Sequence, residues 1–394
     1  KGITLVSLVI TIIIIIILST VTINMAFGEN GLITQAQKAR DMTANSVAAE
    51  QEGMNNVMSE YLNVMAEDGE IPEPNLPEEP TKSEVEQAKD NGTKYTETMP
   101  IKDDLDNTVY IPGGFHIAGD SATKVEGGIV IEDDSGNQFV WIPTGTYNVS
   151  TEINSAGTLT NELSRRQWGT TKDVVKEPTL LTDDEVAEGF EGKVYYGEGD
   201  GRSVASSQIG AFLNSAKPVA EGGKGGFYIG RYEQGTGNVC KAGVDAYTNV
   251  TRNIAKSQAE AMYSGKTGIK ATSELISSYA WDTALNFMCQ TNIGEGKGYA
   301  LATTTSQDRA NIGTGGKTQT GKYEADDYSN IHDLLGNCYE WTTEYSDYSA
   351  NSYTYPCVDR GGRYSTSGLY AAFRNYGTAE HSSSLISFRL QLYV

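Results

Sequence analysis

The side chains best suited to covalent or metal chemistry are few in this 394-residue chain: four cysteines (Cys240, Cys289, Cys338, Cys357) and three histidines (His116, His332, His381). So small and scattered a stock leaves little material for a histidine-rich metal site or a disulfide-dense scaffold. An even number of cysteines in an exported domain suggests two disulfides. Four cysteines allow three connectivities. Proximity along the chain favours Cys338–Cys357 and Cys240–Cys289, and free buried thiols are the alternative. The tryptophans Trp141, Trp168, Trp281 and Trp341 suit a core or a wall better than an exposed ligand platform. A formal net charge of −21 argues against nucleic acid as a partner, because phosphate binding needs basic patches. The acidity serves solubility and mutual repulsion instead.

The elements that must carry these residues begin with an apolar rod. From Ile3 to Phe27 there is no charged residue, and Ile12, Ile13, Ile14, Ile15, Ile16 and Ile17 are consecutive. About 25 helical residues at ~1.5 Å each are long enough for a hydrocarbon core of about 30 Å. Apolar side chains lie all round, so no face is meant for water. The run is too long for a signal-peptide core, and no small-x-small cleavage site precedes Gly28. After a glycine break at 28–31, Met54, Val57, Met58, Tyr61, Leu62 and Met65 form an amphipathic stripe. Residues 3–66 thus read as one long helix interrupted near Gly28.

KGITLVSLVI at the start of this rod resembles the prepilin-peptidase motif of type IV pilins, a basic residue and glycine before a hydrophobic helix. The resemblance covers about 40 residues and implies cleavage between Gly2 and Ile3. It also implies a rod that is stored in the membrane and then packed, through Ile3, Leu5, Val6, Ser7 and the isoleucines, in the core of a filament. Pilins usually carry glutamate at mature position 5, paired with a neighbouring amino terminus. Counting from Ile3, that position is Ser7, which accepts a hydrogen bond but neutralises no ammonium group. A plain membrane anchor is the alternative use of the rod.

Residues 67–100 hold five prolines and many carboxylates, a composition that favours an extended linker. A helix is possible at Ser83–Lys89 but is too short to stand alone. From Ile101 to Val394 the signals are those of a head rich in short strands and long loops. Apolar runs at 129–131 and 139–142 around DDSGN predict a hairpin, and GGFYIGRYE predicts another strand. Ala255–Tyr263 and Glu274–Met288 read as helices. The aperiodic stretch from Gly294 to Asp327 reads as an ordered loop that needs fastening. The expected architecture is α+β: helix 1–66, linker 67–100, head 101–394.

Within that head, HDLLGNCYEWTTEY (332–345), DRGGRY (359–364) and ISFRLQLYV (386–394) resemble the formylglycine-generating-enzyme-like family, a variant of the C-type lectin fold. FYIGRYE and YAWDTALNFM resemble that family's early strand and helix, and the likeness spans roughly 270 residues. The family's catalytic members hold copper through a cysteine pair between the RGG segment and the closing strand. Here that interval is STSGLYAAFRNYGTAEHSSSLIS, with no cysteine. Without thiolates there is no soft-metal site and no oxidising nucleophile. Hercynine-synthase-like relatives use three histidines on iron, and the three histidines here are widely spaced. The expectation is therefore a head that is not an enzyme.

The resemblance also implies structural Ca²⁺. One ligand set would be Asp333, Gly336, Cys338 and Glu340, oxygen donors of the kind calcium prefers. A second would use Asn311 and Ile312 with a carboxylate among Glu324, Asp326 and Asp327. The alternative is that Asp333 caps a turn while Glu340 pairs with an arginine such as Arg360 or Arg374. Relatives with diversified ligand surfaces place their variable residues where this chain has Tyr364, Ser365, Tyr370, Phe373, Asn375 and Tyr376. Aromatic and small polar residues make adaptable contacts; covering the fold is the blander role for them. The sequence thus predicts a subunit of an extracellular type IV pilus-like filament with a non-catalytic head. Its partners would be copies of itself, the membrane before assembly, prepilin peptidase and the assembly machinery. The alternative is a membrane-anchored or filament-tip adhesin for a protein or glycan.

Overall fold

The structure, a computed structural model, describes residues 81–394 apart from 169–176, 183–184, 186, 189–193, 199–208, 295–296, 304, 309 and 351–352. The apolar rod, the processing residues Gly2 and Ile3, the filament-core residues and the amphipathic stripe lie outside the described residues. The chain divides into two compact units, Lys1–Pro80 and Thr81–Val394. The head therefore starts about twenty residues before the expected boundary at 101. The cause is the short helix α1 (Glu84–Asn91), capped by Ser83, whose hydroxyl accepts from Glu86 N at 3.1 Å. Gly92, at φ 58°, closes its other end. Eight residues are too few for a stable isolated helix, but Val85 and Ala88 are buried in the main core. Tertiary burial supplies what local propensity lacks.

Twelve strands form two six-stranded sheets. In chain order they are β1 (Phe115–Ile117), β2 (Val130–Asp133), β3 (Gln138–Pro143), β4 (Ala187–Glu188), β5 (Val194–Glu198), β6 (Gly226–Gly230), β7 (Thr272–Leu275), β8 (Tyr339–Ser346), β9 (Cys357–Arg360), β10 (Arg374–Gly377), β11 (Ile386–Phe388) and β12 (Leu390–Tyr393). The first sheet is antiparallel, in the order β7-β12-β6-β3-β2-β1. The second runs β4-β5-β8-β9-β10, and β11 joins β8 in parallel with Tyr339 opposite Ile386. The head is thus mixed α+β, mostly sheet with few helices.

The hairpin expected around DDSGN is β2–β3, and its turn has a double. Asp133 accepts from the backbone N–H of Ser135 and Asn137, and its second oxygen accepts from the Asn137 amide at 2.9 Å. Asp103 repeats this with Leu105, Asn107 N and the Asn107 amide, in the hairpin of strands Met99–Lys102 and Thr108–Ile111. IKDDLDN and IEDDSGN are therefore two copies of one aspartate-closed turn, with Asp106 and Gly136 both at positive φ.

Helix α2 (Gly210–Ala216) and helix α3 (Arg252–Ala261) precede the central helix α4 (Ser278–Thr291), and α5 (Ala300–Thr303) follows it. The helix expected at 274–288 starts later: Glu274 and Leu275 belong to β7, and Ser277 caps α4 by accepting from Ala280 N at 3.2 Å. Helix α4 is buried almost all round, which blurs any helical stripe in its sequence. All four tryptophans are core residues. The stretch 294–327 is largely loop, as expected, and polar side chains fasten it. Asn311 donates to Asn337 at 2.9 Å, and Thr320 donates to Lys241 O at 2.5 Å.

Candidate functional site

Sheet two and α4 bring the motif residues together. The RGG segment owes its glycines to close packing. A Cβ on Gly362 would lie 2.4 Å from the Leu335 carbonyl oxygen, and Gly361 sits at φ +90° against Trp281. That approach lets β9 lay Arg360 beside α4, where it donates to Asp282 Oδ1 at 2.7 Å and to Glu344 Oε2 at 3.1 Å. Arg374 on β10 takes the other oxygens, Asp282 Oδ2 at 2.9 Å and Glu344 Oε1 at 2.8 Å. Trp168 Nε1 and Arg166 N complete the Asp282 carboxylate, each at 2.9 Å. Burial pushes the Asp282 carboxyl up, but the Arg360 and Arg374 guanidiniums outweigh it and hold the group at about 2. Arg360 and Arg374 therefore pair with Asp282 and Glu344.

Glu340 pairs with a different arginine. Arg389 holds it through Nη2 to Oε1 at 2.6 Å and Nε to Oε2 at 2.9 Å, and donates also to the carbonyls of Gly230 and His332. Both Glu340 oxygens are thus committed to a guanidinium, so Glu340 does not fit the expected calcium role. Asn311 is also largely committed: its carbonyl accepts from Asn337 N at 2.9 Å, and its side-chain oxygen accepts from Thr314. Gly336 packs against the same backbone; a Cβ there would lie 2.9 Å from Asn311 O.

Three other carboxylates around this loop are incompletely used. Asp333, at φ 61°, accepts from Gly321 N at 2.7 Å through Oδ2, while Oδ1 has no partner. Asp326 accepts from Asp333 N at 3.1 Å, and its Oδ2 has no partner. Glu233 accepts from the Asn337 amide, and its Oε2 has no partner. All three are fully buried, and an ionised carboxylate with an unsatisfied oxygen is costly there. Burial pushes each of them up, Asp333 to about 7, and the Asp333 charge raises Glu233 and Asp326 further. These orphaned oxygens suit a hard cation, and Asp326 is the carboxylate of the second expected set that has one. Among the described residues, no three His, Cys, Asp or Glu side chains already converge on a metal-sized point.

The expected disulfides are absent. All four cysteines are free and buried, and each lies on a different element: Cys240 after β6, Cys289 in α4, Cys338 at the start of β8 and Cys357 in β9. Cys240 donates to Gln138 O at 3.0 Å. Burial pushes Cys240 up to about 11 and Cys289 to about 12, and it raises Cys338 and Cys357 as well. Such thiols are neutral at pH 7 and are poor nucleophiles.

The candidate contact residues divide. Tyr370 is buried, against expectation, because its ring packs edge-on to Phe373 at 5.6 Å within the core. Phe373 is half-buried and stacks on Tyr339 at 6.1 Å. Asn375 is half-buried and donates to the buried Asp359 carboxylate at 3.0 Å. Tyr364 is half-buried, Ser365 exposed, and Tyr376 half-buried. Tyr376 lies on the edge strand β10, 4.3 Å from the Tyr348 ring and 5.5 Å from the Tyr355 ring.

Sequence reasoning passed over Glu233, Glu344, Arg389, Tyr348 and Tyr355. The doubled DD-x-x-N turn and the tyrosine density of YSDYSANSYTYP were signals for two of the features the structure adds.

No protein-family model matches this chain, and no curated protein matches it. Among solved structures, the chain is similar to that of PvdO from Pseudomonas aeruginosa, with 16% identity and TM-score 0.36 over 67% of this chain and 98% of that one. It is similar to Treponema denticola variable protein 1, with 12% identity and TM-score 0.37 over 66% and 96%. CarF gives 16% identity and TM-score 0.32 over 66% and 98%. Likenesses at this level assign neither a family nor an activity.

Proposed function

We propose that this chain is a structural subunit of an extracellular type IV pilus-like filament, displaying a non-catalytic head of the formylglycine-generating-enzyme-like, C-type-lectin type. The observation that supports it most is the division at Pro80/Thr81. It leaves a head with its own core, preceded by a segment whose sequence carries an uninterrupted apolar rod. A self-contained head on an apolar rod is what a filament subunit needs, with the rod for packing and the head for display. The membrane holds the rod before assembly, prepilin peptidase processes it at Gly2–Ile3, and copies of the chain are its partners afterwards. Non-catalytic display is supported by the buried, neutral thiols and by the commitment of the arginines and of Asp282, Glu340 and Glu344 to one another.

Structural Ca²⁺ belongs to the same proposal. Asp326 and Asp333 would offer it their unpartnered oxygens, and Asn311 and Ile312 lie on the adjoining loop. When bound, the ion would neutralise buried carboxylates and fasten the loops. The second reading, a membrane-anchored or filament-tip adhesin, is favoured by the half-buried side chains of Tyr364, Phe373, Asn375 and Tyr376.

Replacing Ile14 and Ile15 by aspartate tests the filament reading. Charges inside an apolar, helix-packed rod cost several kcal/mol each, so fibres should disappear while the head keeps its melting temperature. Normal fibres from the double variant would refute the rod as their core.

A further inference from the structure

The hairpin at residues 326–333, DDYSNIHD, presents a different pair of donors on each of its two faces. Tyr328 N donates to Ile331 O at 3.1 Å and Ile331 N to Tyr328 O at 3.0 Å. Between them Ser329 and Asn330 both take positive φ, the backbone of a two-residue hairpin turn. The Asn330 amide donates to the carbonyls of Gly127 and Gly128, which pins the turn in place. Such a turn sets Asp327 opposite His332 and Asp326 opposite Asp333, and successive residues face opposite sides. Asp326 and Asp333 are the inner pair and are fully buried. Asp327 and His332 are the outer pair, with the Asp327 side chain 40% exposed and the His332 side chain 10%.

The outer pair is a donor set without an occupant. Both ring nitrogens of His332 lack a hydrogen-bond partner, although a neutral imidazole has one N–H to give and one lone pair to offer. Asp327 Oδ1 lies 3.7 Å from His332 Nε2, beyond hydrogen-bond range. Two donors held by one tetrahedral ion stand about 3.3 Å apart, and up to about 4 Å in wider geometries. The gap therefore fits a shared ion better than a direct bond. Tyr232 stacks on the imidazole with ring centroids 4.9 Å apart. It fixes the plane of the ring, a task that a second hydrogen bond usually performs at a metal-bound histidine. The neighbouring guanidiniums do not bar a cation. Arg231 is taken up by Asp120 Oδ2 at 2.8 Å, Gln138 Oε1 at 2.9 Å and Asn330 Oδ1 at 2.9 Å, and Arg389 is paired with Glu340. The exposure of Asp327 leaves an entry path and room for water.

Donor chemistry selects the ion. An all-oxygen set such as the inner pair suits Ca²⁺, whereas imidazole with carboxylate suits divalent transition metals such as Zn²⁺. We propose that His332 Nε2 and Asp327 hold a divalent transition-metal ion of the Zn²⁺ class on the outer face of this hairpin, with water completing its coordination. This goes beyond the display reading and stands without it.

The test titrates the purified full chain, stripped of metal, with Zn²⁺ by calorimetry. One Zn²⁺ per chain should bind, and an about hundredfold excess of Ca²⁺ should not displace it. His332→Gln and Asp327→Asn should each weaken binding about tenfold or more. Asp327→Asn, at a half-exposed position, carries the test if His332→Gln fails to fold. His116→Gln and His381→Gln, at the other two histidines, should leave the affinity unchanged. Asp326→Asn, in the inner pair, should remove the response to Ca²⁺ and keep that to Zn²⁺. No binding of Zn²⁺, its displacement by Ca²⁺, or an affinity indifferent to both His332 and Asp327 would overturn the inference. Zn²⁺ binding by a chain that never forms fibres overturns the filament reading and leaves this one standing.

Discussion

Asp282→Asn should destabilise the head severely at neutral pH. Each oxygen of Asp282 accepts two hydrogen bonds: Oδ1 from Arg360 and Trp168, Oδ2 from Arg374 and Arg166 N. Asparagine turns one of those oxygens into an NH₂ group that faces two donors, so either rotamer leaves a buried donor clash. It also leaves two buried guanidiniums sharing Glu344 alone. Holding the Asp282 carboxyl at about 2 against an ordinary 3.8 corresponds to on the order of 2 kcal/mol. Breaking a buried ion network by removing one partner costs about 3–5 kcal/mol. At roughly 2 °C per kcal/mol for a domain of this size, the variant should melt about 6–10 °C lower at pH 7.

The sign with pH follows from the depressed pKa. The ionised carboxylate's contribution is present above pH 4 and is lost as pH falls toward 2, so wild type and variant should converge in acid. Thermal melts and urea titrations followed by circular dichroism at pH 7 and pH 2.5 measure both effects. A variant within about 1 kcal/mol of wild type at pH 7, on the scale of ordinary surface changes, would refute the view that this network anchors α4 to sheet two.

Asp359 should behave oppositely. Burial pushes it up to about 7, with Asn375 and Arg363 opposing, so its stability penalty grows as pH rises from 4 to 7. Asp359→Asn keeps an acceptor for Asn375 and should gain a few kcal/mol over wild type at pH 8 and little at pH 4, read from urea midpoints. EDTA should lower the melting temperature of the head, and Asp326→Asn should abolish most of that difference; an unchanged melt after verified metal removal would retire the calcium proposal.

Much of sheet one was legible because its strands announce themselves. The β2–β3 hairpin has alternating apolar runs around a turn sequence, and β6 is an unbroken apolar run. In the segment 81–100 the short helix was legible as a candidate, but its membership of the head and the strand that follows were not, since they depend on burying Val85, Ala88 and Ile101 against residues far along the chain. The start of α4 was misplaced because Leu275 and Ile276 are as apolar as the helix that follows. At the site, the GN and RGG segments were readable as motifs, though the close approaches their glycines make were not. The partner of Glu340 was not: choosing Arg389 over Arg360 or Arg374 needs the parallel pairing of β8 with β11, which no local pattern encodes. The cysteines misled because an even count suggests pairing, whereas the fold buries the four thiols singly.

Electron microscopy of purified full-length protein, with the composition of any fibres established by mass spectrometry, tests the central claim most directly. The account predicts long uniform fibres built from this chain alone, cut after Gly2, with heads on the outside of a helical core. A chain that stays dispersed or membrane-bound under conditions in which its rod is intact, or that is found only as a rare component of fibres made by another subunit, would contradict it.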